Sequence, residues 1–268
     1  INLNTAVSNL QIANLFPSEF SEGGDITINN QGDLSLSDWY FSDIPSIENP
    51  GGSVNITTSS PLSVDAPVLA TGDITLKADG TTNDDLTIGA DVISTEGSVF
   101  LAANKDVLIN NNLISSASDI YIIADNNYDS AGKILQSGGI VGSGDETLIL
   151  SSAEGIGSTG GALETEVGAL NAYNSTSGDI YIDNIGDLTI DDFSSLGCGI
   201  ANDNGAVNIS STGSIDIPGT SGNGILAAGD ITLKAGNNIT GGSSGNGIDF
   251  AAASWGAGIT LDAGNDIY

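Results

Sequence analysis

A seven-residue phrase, Gly-Asp-Ile-Thr-Leu-Lys-Ala, occupies Gly72 to Ala78 and returns unchanged at Gly229 to Ala235. Weaker copies fill the chain: Gly24 to Ile28, Gly52 to Ile56, Gly97 to Leu101, Ser118 to Ile122, Gly178 to Ile182, Gly205 to Ile209 and Gly258 to Leu261, with a looser one at Gly144 to Leu150. They start roughly 20 to 34 residues apart, a period that belongs to stacked-repeat proteins, because one unit cannot bury its apolar face alone. The chain therefore reads as one repeat array rather than two globular domains, with residues 1–22 as an N-terminal cap or irregular coil and 23–268 as repeats.

Within each copy the aliphatic residues fall at every second position, as in Asp25-Ile26-Thr27-Ile28, Asp33-Leu34-Ser35-Leu36, Leu86-Thr87-Ile88 and Ile215-Asp216-Ile217. Alternation puts them on one face of a strand, and the Gly, Asn, Asp and Ser that follow supply the turn. No capped stretch of helical period is present. Two-residue hairpin turns are also missing, so the strands do not read as an antiparallel sandwich. Short strands joined by corners and repeated in register predict an all-β fold, a parallel β-helix of about ten coils, near 50 Å long at the strand spacing of about 4.8 Å.

Charge narrows the function. Acidic residues outnumber basic ones by 34 to 4, for a formal charge of -30. Lys77, Lys105, Lys133 and Lys234 are the only cations, so the chain cannot neutralise a row of phosphates, and its field repels nucleic acid and anionic lipid. No apolar run approaches the roughly 20 residues of a membrane-spanning helix. Cys198 stands alone, which excludes an intramolecular disulfide and reads as a small inward residue. The chain begins at Ile1 and stops at Tyr268 inside a further repeat, which points to excision from a longer protein or to head-to-tail assembly.

The repeats resemble those of large bacterial exoproteins, the filamentous-haemagglutinin-like and giant repeat-rich surface proteins. The residues that carry the resemblance are Gly72 to Ala78, Gly229 to Ile239, and the stretch from Ile120 to Asp129 with Lys133 to Gln136. It implies a right-handed β-helix, extracellular or displayed on a bacterial cell surface, serving as an adhesin, structural fibre or filament, and it brings no catalytic residues. Its partners would be copies of the chain end to end, or flanking repeats of a longer chain.

An enzymatic reading finds little to work with. The chain has neither Arg nor His, the best carboxylate clamp and the commonest general base. Acidic pairs such as Asp84-Asp85 and Asp191-Asp192 are sequence neighbours, and strand neighbours point to opposite faces. A binding module remains the alternative. Asp125, Asn127 and Asp129 place oxygen side chains at alternate positions, a spacing suited to Ca²⁺, against the plainer reading of a solvated Asx-rich corner. Asp79, Asn83, Asp84 and Asp85 form a second such cluster. Trp39 and Tyr40, with Trp255 in another irregular segment, are candidate platforms for an extracellular polysaccharide. Residues 155–170 read as an outward loop or widened coil. The Gly-Asp corners are expected to use the Asp carboxylate for amides in their own turn. Sequons stand at Asn55, Asn174, Asn208 and Asn238.

Overall fold

The computed structural model describes residues 1–13, 24–38, 45–81, 84–110, 113–115, 118–190, 198–218, 223–242, 250–252 and 257–268. Every strand pairing between its named strands is parallel, and no helix occurs among the described residues. The chain divides into two compact units, Ile1–Ile140 and Val141–Tyr268. Both are β-solenoids, with about eight turns among the described residues, roughly consistent with the ten coils expected.

In the first unit each coil has three sides. A five-residue strand such as Ile26–Asn30 is followed by two three-residue strands, Leu34–Leu36 and Ile47–Asn49, and the next coil repeats the set as Val54–Thr58, Leu62–Val64 and Val68–Ala70. The long strands stack without slippage: Ile26 pairs with Val54, Val54 with Ile74, Ile74 with Val99, and Val99 with Ile120. Because the side-chain period is two, register fixes which residues face inward on every coil at once. Ile26, Val54, Ile74, Val99 and Ile120 form one fully buried ladder, and Ile28, Ile56, Leu76, Leu101 and Ile122 a second. Each such side chain contributes roughly 1.5–3 kcal/mol over its exposed state. Residues 1–13 supply Asn2–Thr5, Asn9–Leu10 and Ile12–Ala13, which pair with the three sides of the following coil.

The coil turns inward-polar at its corners. Asn30 is buried; its Oδ1 accepts from the Thr5 hydroxyl at 2.8 Å and the Val7 amide at 2.9 Å, and its Nδ2 donates to the Gly32 carbonyl at 3.0 Å. A corner of the solenoid cannot use ladder bonds for every peptide group, and a buried unpaired group costs about 1–3 kcal/mol, so a side-chain amide with donors and acceptors fills the gap.

The second unit is organised differently. One side stacks Leu163–Thr165, Ile180–Asn184, Val207–Ser211, Ile231–Ala235 and Ile259–Ala263. The opposite side begins with two six-residue strands, Thr147–Ser152 and Ala169–Asn174, and then forks. Leu170 pairs with Ile190 while Ala172 pairs with Ile200, so a single strand is succeeded by two shorter ones, Leu188–Ile190 and Cys198–Asn202. Later coils keep the three-sided form. The excursion expected over residues 155–170 is confined to 157–162: Ile156 pairs with Ile180 and Leu163 with Ile182, and between them Ser158 and Gly161 exchange backbone bonds of 2.9 and 3.2 Å.

Buried amides link the coils here too. Asn184 Oδ1 accepts from the Thr165 hydroxyl at 2.8 Å and the Val167 amide at 3.0 Å, while Nδ2 donates to the Val167 and Ile185 carbonyls at 3.2 Å. On the other side Ser152, Asn174 and Asn202 form a chain, with bonds of 2.9 Å from Ser152 to Asn174 and from Asn174 to Asn202. Asn174 is fully buried, so the sequon at that position is sealed inside the folded unit.

Candidate functional site

The repeated Gly-Asp phrase has a structural role that its sequence only half discloses. Its glycines lie where one corner rests on the corner beneath. A Cβ on Gly52 would meet the Gly24 backbone at 3.0 Å, and one on Gly72 would meet Ser53 Oγ at 2.7 Å. Side chains there would hold the coils apart. The aspartates act between coils rather than within their own turn: Asp25 Oδ1 accepts the Ser53 amide at 2.9 Å and Asp73 Oδ1 the Ser98 amide at 2.8 Å. Asp179 takes the Ala206 amide at 2.8 Å, Asp187 that of Ser214 at 2.7 Å, and Asp230 that of Gly258 at 2.7 Å.

Register also answers how carboxylates can stack. The position preceding the long strand of the first unit reads Asp25, Ser53, Asp73, Ser98, Asp119 on successive coils. In the second unit the corresponding column reads Asp179, Ala206, Asp230, Gly258. A neutral residue separates the charges each time, which doubles their separation to about 9.6 Å, close to the Debye length at physiological salt. Asp73 in turn donates its backbone amide to the Ser53 hydroxyl at 3.1 Å, so the neutral positions join the same chain of bonds.

On the outer surface of the first unit's long face, Thr27, Asn55, Thr75, Phe100 and Tyr121 occupy one register position on successive coils, and Asn29, Thr57 and Lys77 another. The Phe100 and Tyr121 rings lie 6.0 Å apart at 35°, and Lys77 Nζ sits 4.9 Å from the Phe100 ring centre. The Tyr121 hydroxyl donates to Asp119 at 3.2 Å; partial burial, reinforced by that carboxylate, holds the phenol above the usual tyrosine range. Two clefts open on this face. One, of about 520 Å³, is bordered by Asn4, Asn29, Gln31, Thr57 and Asp79; the other, of about 260 Å³, by Asp73, Thr75, Lys77, Phe100 and Tyr121. No local sequence feature announces this platform, because its members lie on different repeats; the shared position after each inward Ile or Val is the available signal.

The residues singled out from sequence fare unequally. Trp39, Tyr40 and Trp255 lie outside the described residues, as do Asn83 and the Asp191-Asp192 pair. Asp125, Asn127 and Asp129 share a tight loop in which Asp125, Tyr128 and Ser130 adopt positive φ of 65°, 59° and 73°. Their oxygens are engaged locally: Asp125 accepts the Ser130 amide at 3.1 Å, Asn127 Oδ1 that of Asp129 at 3.3 Å, and Asp129 that of Ala131 at 3.1 Å. Burial pushes the Asp125 carboxyl upward, against the opposing pull of the Asp129 and Ser130 amides. Among the described residues no three Asp, Glu, Cys or His side chains gather as a metal-binding group. Cys198 is buried, as its inward reading expected. No helix of the described residues is long and apolar enough to cross a membrane.

The stacked coils and their linking corners define the class, a parallel β-solenoid repeat protein. Compared with known proteins, the chain matches no family model, no curated sequence and no solved structure.

Proposed function

We propose that the chain is a structural and adhesive element of a bacterial surface or extracellular fibre, a stack of coils whose work is to hold its outer faces on a stiff support. The observation that carries this reading is the coupling of coil to coil within each unit: parallel ladders, fully buried aliphatic columns, and corner carboxylates that each accept an amide of the following coil. Such a stack resists local opening because every coil is clamped by its neighbours. The resemblance to filamentous-haemagglutinin-like exoproteins and the surplus of acidic over basic residues support placement outside the cell. Antibodies raised against the folded chain should label intact cells of the source organism; labelling that requires permeabilised cells would defeat the surface placement.

A second reading concerns assembly. Among the described residues Asn2–Thr5 and Ile259–Ala263 each have a pairing partner on one side alone, and Ile1, Leu3 and Ile259, at aliphatic-ladder positions, are 56, 37 and 46% exposed. Further coils, from adjoining sequence or from a second copy, would continue both ladders by strand addition. Electron microscopy of the purified chain across a concentration series tests self-assembly: filaments longer than one chain identify a second copy as the donor, and single particles at every concentration overturn it.

A further inference from the structure

We propose that the outer surface of the first unit's long face binds a neutral, extended polysaccharide, with Phe100 and Tyr121 as its stacking platform. The proposal deepens the adhesive reading by naming a ligand class, and it rests on that reading for where the ligand is met.

Three features of the face converge on this class. Its polar groups stand in rows along the stacking direction, the amides and hydroxyls of Thr27, Asn55 and Thr75 in one and those of Asn29 and Thr57, followed by the Lys77 ammonium, in the other, each step about 4.8 Å. An equatorially linked glycan advances by about one strand spacing per sugar, so successive sugars meet equivalent groups. The Thr27 row runs into an aromatic pair, Phe100 and Tyr121, on the next two coils, and a pyranose has the matching amphipathy: an apolar C–H face for the ring and a hydroxyl rim for Asn and Thr. The two clefts lie along the same rows, since Thr57 borders one and its register partner Lys77 the other.

Charge selects a neutral polymer over an acidic one. The chain carries -30 overall, Asp73 borders the aromatic cleft, and Lys77, a cation of this face, lies over Phe100. That field repels a polyanion and leaves an uncharged chain unaffected.

The test is calorimetric titration of the full chain with hexamers of β-1,4-linked glucose and of β-1,4-linked mannose, with a β-1,4-linked mannuronate hexamer as the acidic counterpart of equal linkage geometry. At least one neutral hexamer should bind, with little dependence on salt. Tyr121→Ala should weaken that binding about tenfold and Thr75→Ala severalfold, while Tyr181→Ala, which removes a tyrosine from the second unit, should leave it unchanged. Tyr121 and Thr75 are outward side chains, and circular dichroism confirms that each variant is folded. Absence of heat with both neutral hexamers at about 5 mM overturns the proposal, as does tighter binding of the mannuronate, or equal losses from Tyr121→Ala and Tyr181→Ala. Failed binding with intact surface labelling removes the ligand assignment alone; failed labelling with intact binding removes the location alone.

Discussion

Asn184 shows how much of this fold depends on single buried polar residues. Its side chain serves the Thr165 hydroxyl, the Val167 amide and two carbonyls at once, with almost no access to water. Asn184→Ala should cost about 2–4 kcal/mol in a urea titration, since several groups lose their partner inside the unit; a loss below about 0.5 kcal/mol would mean that water replaces the amide. Nothing in the sequence marked Asn184, Asn174 or Asn30 as interior, because asparagine after a strand reads as an exposed turn. The aliphatic columns were legible for the opposite reason: Ile26 with Ile28, and Ile231 with Leu233, alternate with polar residues, and alternation alone determines their side. Asp125 yields a pH prediction. With its folded-state carboxyl raised by burial, the protonated form is favoured on folding, so its contribution is complete below the ordinary aspartate range and is lost as pH rises through the raised value. Urea midpoints of Asp125→Asn and the parent should therefore diverge in favour of the variant between about pH 3 and pH 7. A gap that narrows with rising pH would contradict the assignment.

At the scale of the coil, the alternation of Asp with a neutral residue is the device that lets an acidic chain stack. The repeat phrase announced the aspartates, and self-repulsion of a stacked column was foreseeable from it. What the phrase alone could not show is that consecutive coils take turns, because that follows from register across repeats of unequal length: Asp25, Ser53, Asp73, Ser98 and Asp119 are 28, 20, 25 and 21 residues apart. Ser53→Asp would place three carboxylates on successive coils and create two close like-charge pairs at about 4.8 Å, each worth about 1 kcal/mol in water. We expect a loss of about 1–2 kcal/mol at low ionic strength that shrinks toward zero in about 1 M salt, where the Debye length is about 3 Å. Ser53→Asn, neutral and similar in size, supplies the control. A salt-independent loss would show that sterics rather than charge set the column. The fork after Ala169–Asn174 was equally illegible: Asn171, which is buried there and donates to the Cys198 and Gly199 carbonyls at 3.1 and 2.9 Å, reads in sequence as an outward polar residue between Leu170 and Ala172.

For the whole molecule, the period of the sequence translated into the class of fold, all-β, parallel and coiled, because a stacked repeat has few other ways to bury one apolar face per unit. The partition into two units did not, since both use the same phrase, Gly72 to Ala78 in one and Gly229 to Ala235 in the other. Nor did the aromatic platform, whose members meet only once the coils are stacked. If the function is mechanical, the coils must be separable elements that yield one after another rather than a single cooperative core. Single-molecule stretching between the two termini measures this directly. The account predicts successive force peaks, each releasing about one coil of some 20–28 residues, or roughly 70–100 Å of extended chain. A single rip that frees all of either unit at once, with no coil-sized steps, would contradict it.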